Sequence, residues 1–184
     1  MILRPYRRSD ASALARLAND KDVARFLPLM PYPYGLDDAR QWINFVHRAS
    51  RRDASYSFAI EHRPSHEIAG GISLKQIDHS DRYTEIGYWL GRKFWGRGLA
   101  TEAVGLALEF SFEILKLHRV SAMVHEENSG SIRVLEKNGL TREGILRKAG
   151  RIDGRWQDLH TYGILRFEWV KFRENGLPLG GGNR

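Results

Sequence analysis

The chain has 184 residues, with 29 basic and 22 acidic side chains, 18 glycines and no cysteine. That length makes one domain, large enough to bury a core without cross-links. The missing cysteines exclude a disulfide framework, a thiolate-ligated metal and a cysteine-bound covalent intermediate. Arginines at 4, 7 and 8 interrupt the N-terminus, so it does not read as a secretory signal. No run approaches the roughly 20 apolar residues that span a bilayer. The expectation is a cytoplasmic protein with no membrane partner. The net charge of +7 is uneven, because residues 1–52 carry 10 basic and 5 acidic side chains. Such a region suits a nucleic acid, an acidic cofactor or partner, or a solvated surface.

Residues 1–6 read as a strand, and Ser9 as the N-cap of a helix with Leu14, Leu17 and Ala18 on one face. Three prolines between Leu27 and Gly35 make an apolar, aromatic loop. Asp38 and Gln41 have capping-box spacing, and the helix they open places Trp42, Val46 and Ala49 inward. Alternation then predicts strands over 56–60, 68–77 and 82–90, antiparallel because their connections are short. The clearest helix spans 98–117, with Leu99, Ala103, Leu106, Phe110 and Ile114 at three- and four-residue steps. A β-branched strand over 119–124 follows, then a helix over 128–138. Gly139 and Leu140 close that helix as a Schellman stop. Two last strands are predicted at 141–148 and 157–170, around a turn at 152–154. The expected organisation is one domain over 1–172 and a flexible glycine-rich tail over 173–184. The fold class is α+β, a mixed sheet with a β–α–β–α–β second half.

The chemistry concentrates between Glu85 and Ala103. There a strand enters a tight loop bearing Gly91, Gly96 and Gly98, and the loop opens the strongest helix. Glycines let backbone approach a ligand, and the free N–H groups of a helix's first turn attract anions. Arg92, Lys93 and Arg97 are expected to strengthen the hold on phosphate. A P-loop fails because Arg97-Gly98 stands where Lys-Ser/Thr is required. A dinucleotide fingerprint fails because Thr101 replaces the third glycine. What remains is a pyrophosphate cradle for a ligand such as coenzyme A.

Glu85-Ile-Gly-Tyr88, Trp95-Gly-Arg-Gly-Leu-Ala-Thr-Glu-Ala103 and the segment from Asn128-Ser-Gly-Ser131 to Gly139-Leu140 resemble the acetyl-CoA motifs of GNAT-type N-acetyltransferases. Their order and spacing are similar to the RimJ/RimL-like branch, which contains ribosomal-protein N-terminal acetyltransferases. The resemblance runs from Leu3 to about Arg166 and includes Asp153-Gly-Arg-Trp-Gln-Asp158. It implies a seven-stranded, mostly antiparallel sheet flanked by helices and split like a V between strands 83–90 and 119–125, with acetyl-CoA in the split and no metal. By this resemblance Tyr88, Trp89 and Leu90 pair through their backbones with the pantetheine arm. Lys93, Phe94, Trp95, Gly96, Arg97, Gly98, Leu99, Ala100 and Thr101 wrap the pyrophosphate. Asn128 holds the pantetheine while also capping its helix, and a backbone N–H near Leu90 steadies the oxyanion.

Acyl transfer to an amine needs the amine neutral and a proton for the leaving thiolate. Many relatives use a tyrosine seven residues after the asparagine, but that position is Leu135 here; Ser131 stands where the RimJ/RimL-like group has its serine, and the resemblance implies that it serves as thiolate stabiliser or proton donor. Glu85 is the best base, acting through water. The ribosomal-protein branch can carry a further glutamate at a position that is Gly150 here, leaving Asp158 and His160 as weak substitutes. His62 and His66 flank Pro64 and form no helical metal face. The acceptor implied by the resemblance is a protein or peptide N-terminus, such as that of a ribosomal protein. A polyamine or aminoglycoside, or a silent CoA- or RNA-binding module, are the alternatives. Nucleic acid is expected only through ribosome association, and a homodimer is compatible with the reading.

Overall fold

The computed structural model describes residues 1–27 and 29–175. Its elements in chain order are β1 (Ile2–Pro5), α1 (Ala11–Ala18), α2 (Lys21–Ala24), α3 (Leu36–Arg51), β2 (Tyr56–His62), β3 (Glu67–Asp78), β4 (Tyr83–Leu90), α4 (Leu99–Glu109), β5 (Arg119–His125), α5 (Ser129–Glu136), β6 (Thr141–Ile152), β7 (Arg155–Leu165) and α6 (Arg166–Glu174). The predicted tail over 176–184 lies outside the described residues.

One seven-stranded sheet runs in the order β1-β2-β3-β4-β5-β7-β6. Every neighbouring pair is antiparallel except β4 and β5. Those two strands match for only three residues, Tyr83–Glu85 against Arg119–Ser121. Beyond that point they part, and the sheet opens as a V.

Alternating side chains build a core on each face. Ile72, Ile86 and Leu90 pack with Leu99, Ala103, Val104 and Phe112 of the α4 side. Tyr6, Ala59 and Ile68 pack with Leu14 of α1 and Ala39, Ile43 and Val46 of α3.

Several boundaries depart from the sequence reading. Ser9 does not cap α1: a 3-10 turn over Arg8–Asp10 precedes the helix, and the Asp10 carboxylate accepts the Arg7 N–H at 2.7 Å. Asp38 does not start α3 either. It is the third helical residue, and its carboxylate accepts the Gly35 N–H at 2.8 Å, so the helix begins two residues earlier. The buried line of α3 is Ala39, Ile43 and Val46, while Trp42 is half-buried and stacks on Phe45 at 5.7 Å. The 98–117 helix ends its regular part at Glu109 and passes into a π turn over Phe110–Ile114, closed by Leu115 N–H to Phe110 C=O at 3.0 Å. The extra residue rotates Ile114 outward, leaving it 66% exposed. The last strand stops at Leu165, where Glu168 accepts the Leu165 N–H at 2.8 Å and opens α6. That helix runs to Glu174, past the expected domain end at 172.

Candidate acyl-transfer site

Strand β4 carries the site on its free edge. Gly91 N–H donates to Ala69 C=O at 2.8 Å. In the antiparallel alternation, Gly87 and Trp89 therefore also turn their backbones toward β3. Tyr88 and Leu90 turn theirs into the split, where β5 has departed. The Leu90 carbonyl is taken by the Trp95 indole N–H at 2.8 Å, which pins the loop to the strand end. Tyr88 N–H and C=O and Leu90 N–H remain facing the V, an edge suited to an extended, amide-bearing ligand. The expected use of all three backbones thus narrows, because Trp89 is committed to β3.

The loop after β4 makes a 3-10 turn over Arg92–Phe94 and delivers Gly98 as the N-cap of α4. Gly96 and Gly98 have φ of +72° and +76°, a left-handed region that disfavours other residues. No atom lies within 4 Å of where a Cβ would stand at either, so both open onto free space. The first-turn N–H groups of Leu99, Ala100 and Thr101 point beyond the helix end. The cleft here holds about 210 Å³, lined by Leu90, Phe94, Gly96, Arg97, Gly98, Leu99, Ala100 and Thr101 and by Gly130, Arg133, Val134 and Lys137 of α5. Eight of the predicted binding residues thus meet in one place.

The charges differ from expectation. Arg92 is bridged to Asp20 at 3.0 Å and Asp22 at 3.2 Å. The Lys93 ammonium pairs with Glu67 at 2.9 Å and lies over the Phe94 ring. Neither side chain lines the cleft. Its cations are Arg97, Arg133 and Lys137, two of which the sequence reading missed. The signal was present, since 130, 133, 134 and 137 follow the i, i+3, i+4, i+7 spacing of one helix face.

Asn128 caps α5 as expected, its Oδ1 accepting the Ser131 N–H at 3.1 Å. Tyr88 Oη donates to the Ser131 carbonyl at 3.2 Å, tying β4 to α5 across the split. Burial pushes the Tyr88 phenol up to about 12, which keeps it protonated as a donor. Both backbone groups of Ser131 are therefore held, which fixes its backbone at the start of α5.

Glu85 lies on the other face. Its neighbours Thr84 and Ile86 are buried toward α4, so its side chain projects with that of Trp89 toward the α1–α3 side. There it is 3.4 Å from Lys75 Nζ, and no hydrogen bond joins it to Ser131. Across the split, hydrogen bonds from Lys148 lower Asp158 from the ordinary carboxylate value. The space that a side chain at Gly150 would fill is occupied by the His125 imidazole, whose Cε1 would lie 2.4 Å from a Cβ there. Among the described residues, no group of three or more His, Asp or Glu could hold a metal, and no helix is long and apolar enough to cross a membrane.

Residues 1–141 match the acetyltransferase (GNAT) domain model. The uncharacterized N-acetyltransferase p20 of Bacillus licheniformis is 31% identical over 92% of this chain and 95% of its own length. Two solved structures share the architecture. Spermidine N-acetyltransferase from Vibrio cholerae in complex with CoA and spermine has a TM-score of 0.80 at 26% identity, covering 92% of this chain and 97% of that one. Mycobacterium smegmatis RimJ in complex with CoA-disulfide has a TM-score of 0.81 at 26% identity, covering 93% and 88%. The split sheet, the glycine cradle and these matches together make the chain a member of the GNAT acetyltransferase family, an N-acetyltransferase whose acyl donor is acetyl-CoA.

Proposed function

We propose that the acceptor is the N-terminal α-amine of a protein, such as a ribosomal protein, and that the acetyl group passes to it directly in the cytoplasm. In this reading the free edge of Tyr88 and Leu90 holds the pantetheine arm, with Asn128 closing on it. Arg97, Arg133, Lys137 and the first turn of α4 receive the phosphates, while the backbones of Lys93 to Thr101 form the cradle. Ser131 stabilises the departing thiolate by donating a hydrogen bond from its hydroxyl, and the carboxylate of Glu85 draws the ammonium form of the acceptor to the opposite face.

The observation that carries this choice is the absence of a strong base on the acceptor face among the described residues. Glu85 is engaged with Lys75, and burial pulls His125 below the ordinary histidine value. An α-amine has a pKa near 7.7–8.0, so at neutral pH roughly a tenth is already neutral and a weak base suffices for its transfer proton. A lysine-like amine at about 10.4 is neutral about once in 10³, a handicap of about 4 kcal/mol. The exposed Arg40, Arg48 and Arg51 of α3 and Arg52 at its C-cap also suit approach to ribosomal RNA.

One feature favours a polyamine instead. Glu127 and Asp153 both reach Arg25, at 3.3 and 3.8 Å, and would offer carboxylates to a polycation that displaced it. Incubating a deacetylated proteome with the enzyme and isotopically labelled acetyl-CoA, beside spermine as a competing acceptor, separates the two readings. Label at protein N-termini is expected. Label confined to spermine or to lysine side chains overturns the α-amine assignment.

A further inference from the structure

His125 ends β5 at the open end of the V, four residues beyond the last pairing with β4. Register partners in a parallel pair point to one face, so Glu85 and Ser121 share a face, and Met123 and His125 follow on it by alternation. That is the acceptor face, opposite the one where Tyr88 meets Ser131. The residue is only 6% exposed. Phe26, in the segment after α2, covers it with ring centroids 6.2 Å apart. Gly150 of β6 abuts its Cε1–Nδ1 edge so closely that no side chain fits between.

The imidazole makes no hydrogen bond among the described residues, and of its two nitrogens only Nδ1 is sealed from solvent. Burying a polar ring without a partner costs free energy. An ordinary core position would satisfy the ring or replace it. A ring packed between Phe26 and Gly150 at the open end of the V, with Nε2 not sealed as Nδ1 is, is placed to exchange a proton.

We infer that His125 is a catalytic residue of the transfer, the group that takes the proton from the acceptor amine. With the ring's hydrogen on Nδ1, the Nε2 lone pair faces the amine. The amine lone pair forms the C–N bond to the acetyl carbon, and the C–S bond breaks with its electron pair leaving on sulfur. The N–H proton passes to Nε2. Glu85, on the same face at the closed end of the V, supplies attraction for the incoming ammonium rather than the final proton acceptor.

Burial lowers the basicity of His125, partly offset by Glu127. The ring is therefore neutral at pH 7 and is lost as a base only as pH falls through its lowered value. The charged groups around it come from five segments. Arg25 from the α2 side binds Glu127 of the β5–α5 loop and Asp153 of the β6–β7 turn. On β7, Asp158 is neutralised by Lys148 of β6, and His160 stands on the adjacent strand opposite Val124. Glu127, Asp153 and Asp158 are thus each already paired with a cation, while Glu126 accepts the Asp158 N–H at 3.4 Å.

The test is the pH dependence of kcat/KM with acetyl-CoA and, in parallel, a peptide with a free N-terminus and spermine. The wild type is expected to lose activity on an acidic limb below the ordinary histidine pKa. His125→Gln is expected to lower kcat about 10²–10³-fold and to abolish that limb, with CoA affinity unchanged within twofold. Gly150→Ala keeps the imidazole but drives a methyl into it, and is expected to lower kcat while CoA still binds. This second variant decides the matter should His125→Gln fail to fold. An unaltered kcat and acidic limb in the folded variants overturns the assignment. Turnover of spermine alone overturns the α-amine acceptor and leaves the histidine test standing with spermine as substrate.

Discussion

Two arginines five residues apart show how little a side chain's type says without its partners. Arg92 and Arg97 flank the same glycine loop, yet Arg92 spends its guanidinium on Asp20 and Asp22, while Arg97 borders the cleft. Exposed ion pairs such as those of Arg92 contribute about 0–1 kcal/mol. A charge-assisted bond to a phosphate contributes about 1.5–3 kcal/mol. Arg97→Ala is therefore expected to raise the KM for acetyl-CoA roughly 10- to 100-fold with kcat nearly kept, and Arg92→Ala to leave both within about threefold. Ser131→Ala should show the opposite split, a kcat loss of about 10²-fold at constant KM, because its hydroxyl is engaged only as the sulfur departs. Steady-state kinetics on the three variants checks all of this. Equal KM effects from the two arginines would mean that the cradle is not where the phosphates lie.

At the level of elements, what holds the two walls of the cleft together is a buried amide. Asn138 is 7% exposed, and its side chain donates to Thr101 C=O in the first turn of α4, at 3.2 Å, and to Val134 C=O at 2.8 Å. Asn138→Ala removes both bonds, an expected loss of about 2 kcal/mol, with weakened CoA binding as α5 drifts from α4. Denaturant unfolding and a CoA titration measure the two effects. The elements of this region were largely legible beforehand, since periodicity, glycine spacing and an asparagine cap are local signals. Asn128 caps α5 as its type suggests, and Gly139 and Leu140 close it with bonds to Glu136 and Leu135. What escaped the sequence was set by contacts distant along the chain. The diversion of Lys93 to Glu67 spans 26 residues, and the place of His125 beneath Phe26 and Gly150 joins three separate segments. The π turn after α4 also has no periodic signature, so Ile114 read as a core residue although it faces solvent. The strand-to-helix change at Arg166 was missed because apolar residues continue through it, and only Glu168 marks the cap.

The whole molecule is two half-sheets joined by a short seam. Three residue pairs of β4 and β5 form that seam, and above it, among the described residues, side-chain contacts bridge the split, Tyr88 to Ser131 and Arg25 to Glu127 among them. A donor that binds along the free edge of β4 and against α5 acts as the missing strand and couples the halves. Since the assembled V exists only in the folded chain, such a ligand stabilises by mass action, by about 2.7 kcal/mol at 100 times its Kd. For a chain of this size that corresponds to a rise in Tm of roughly 5–10 °C. Arg97→Ala should need correspondingly more CoA for the same rise, whereas His125→Gln should respond like the wild type, because its ring faces the acceptor side. Thermal melts across a CoA series read this directly. A Tm that does not move with CoA would show that the halves are already locked without the donor, and a selective loss of the response in His125→Gln would place that ring with the cofactor rather than with the amine.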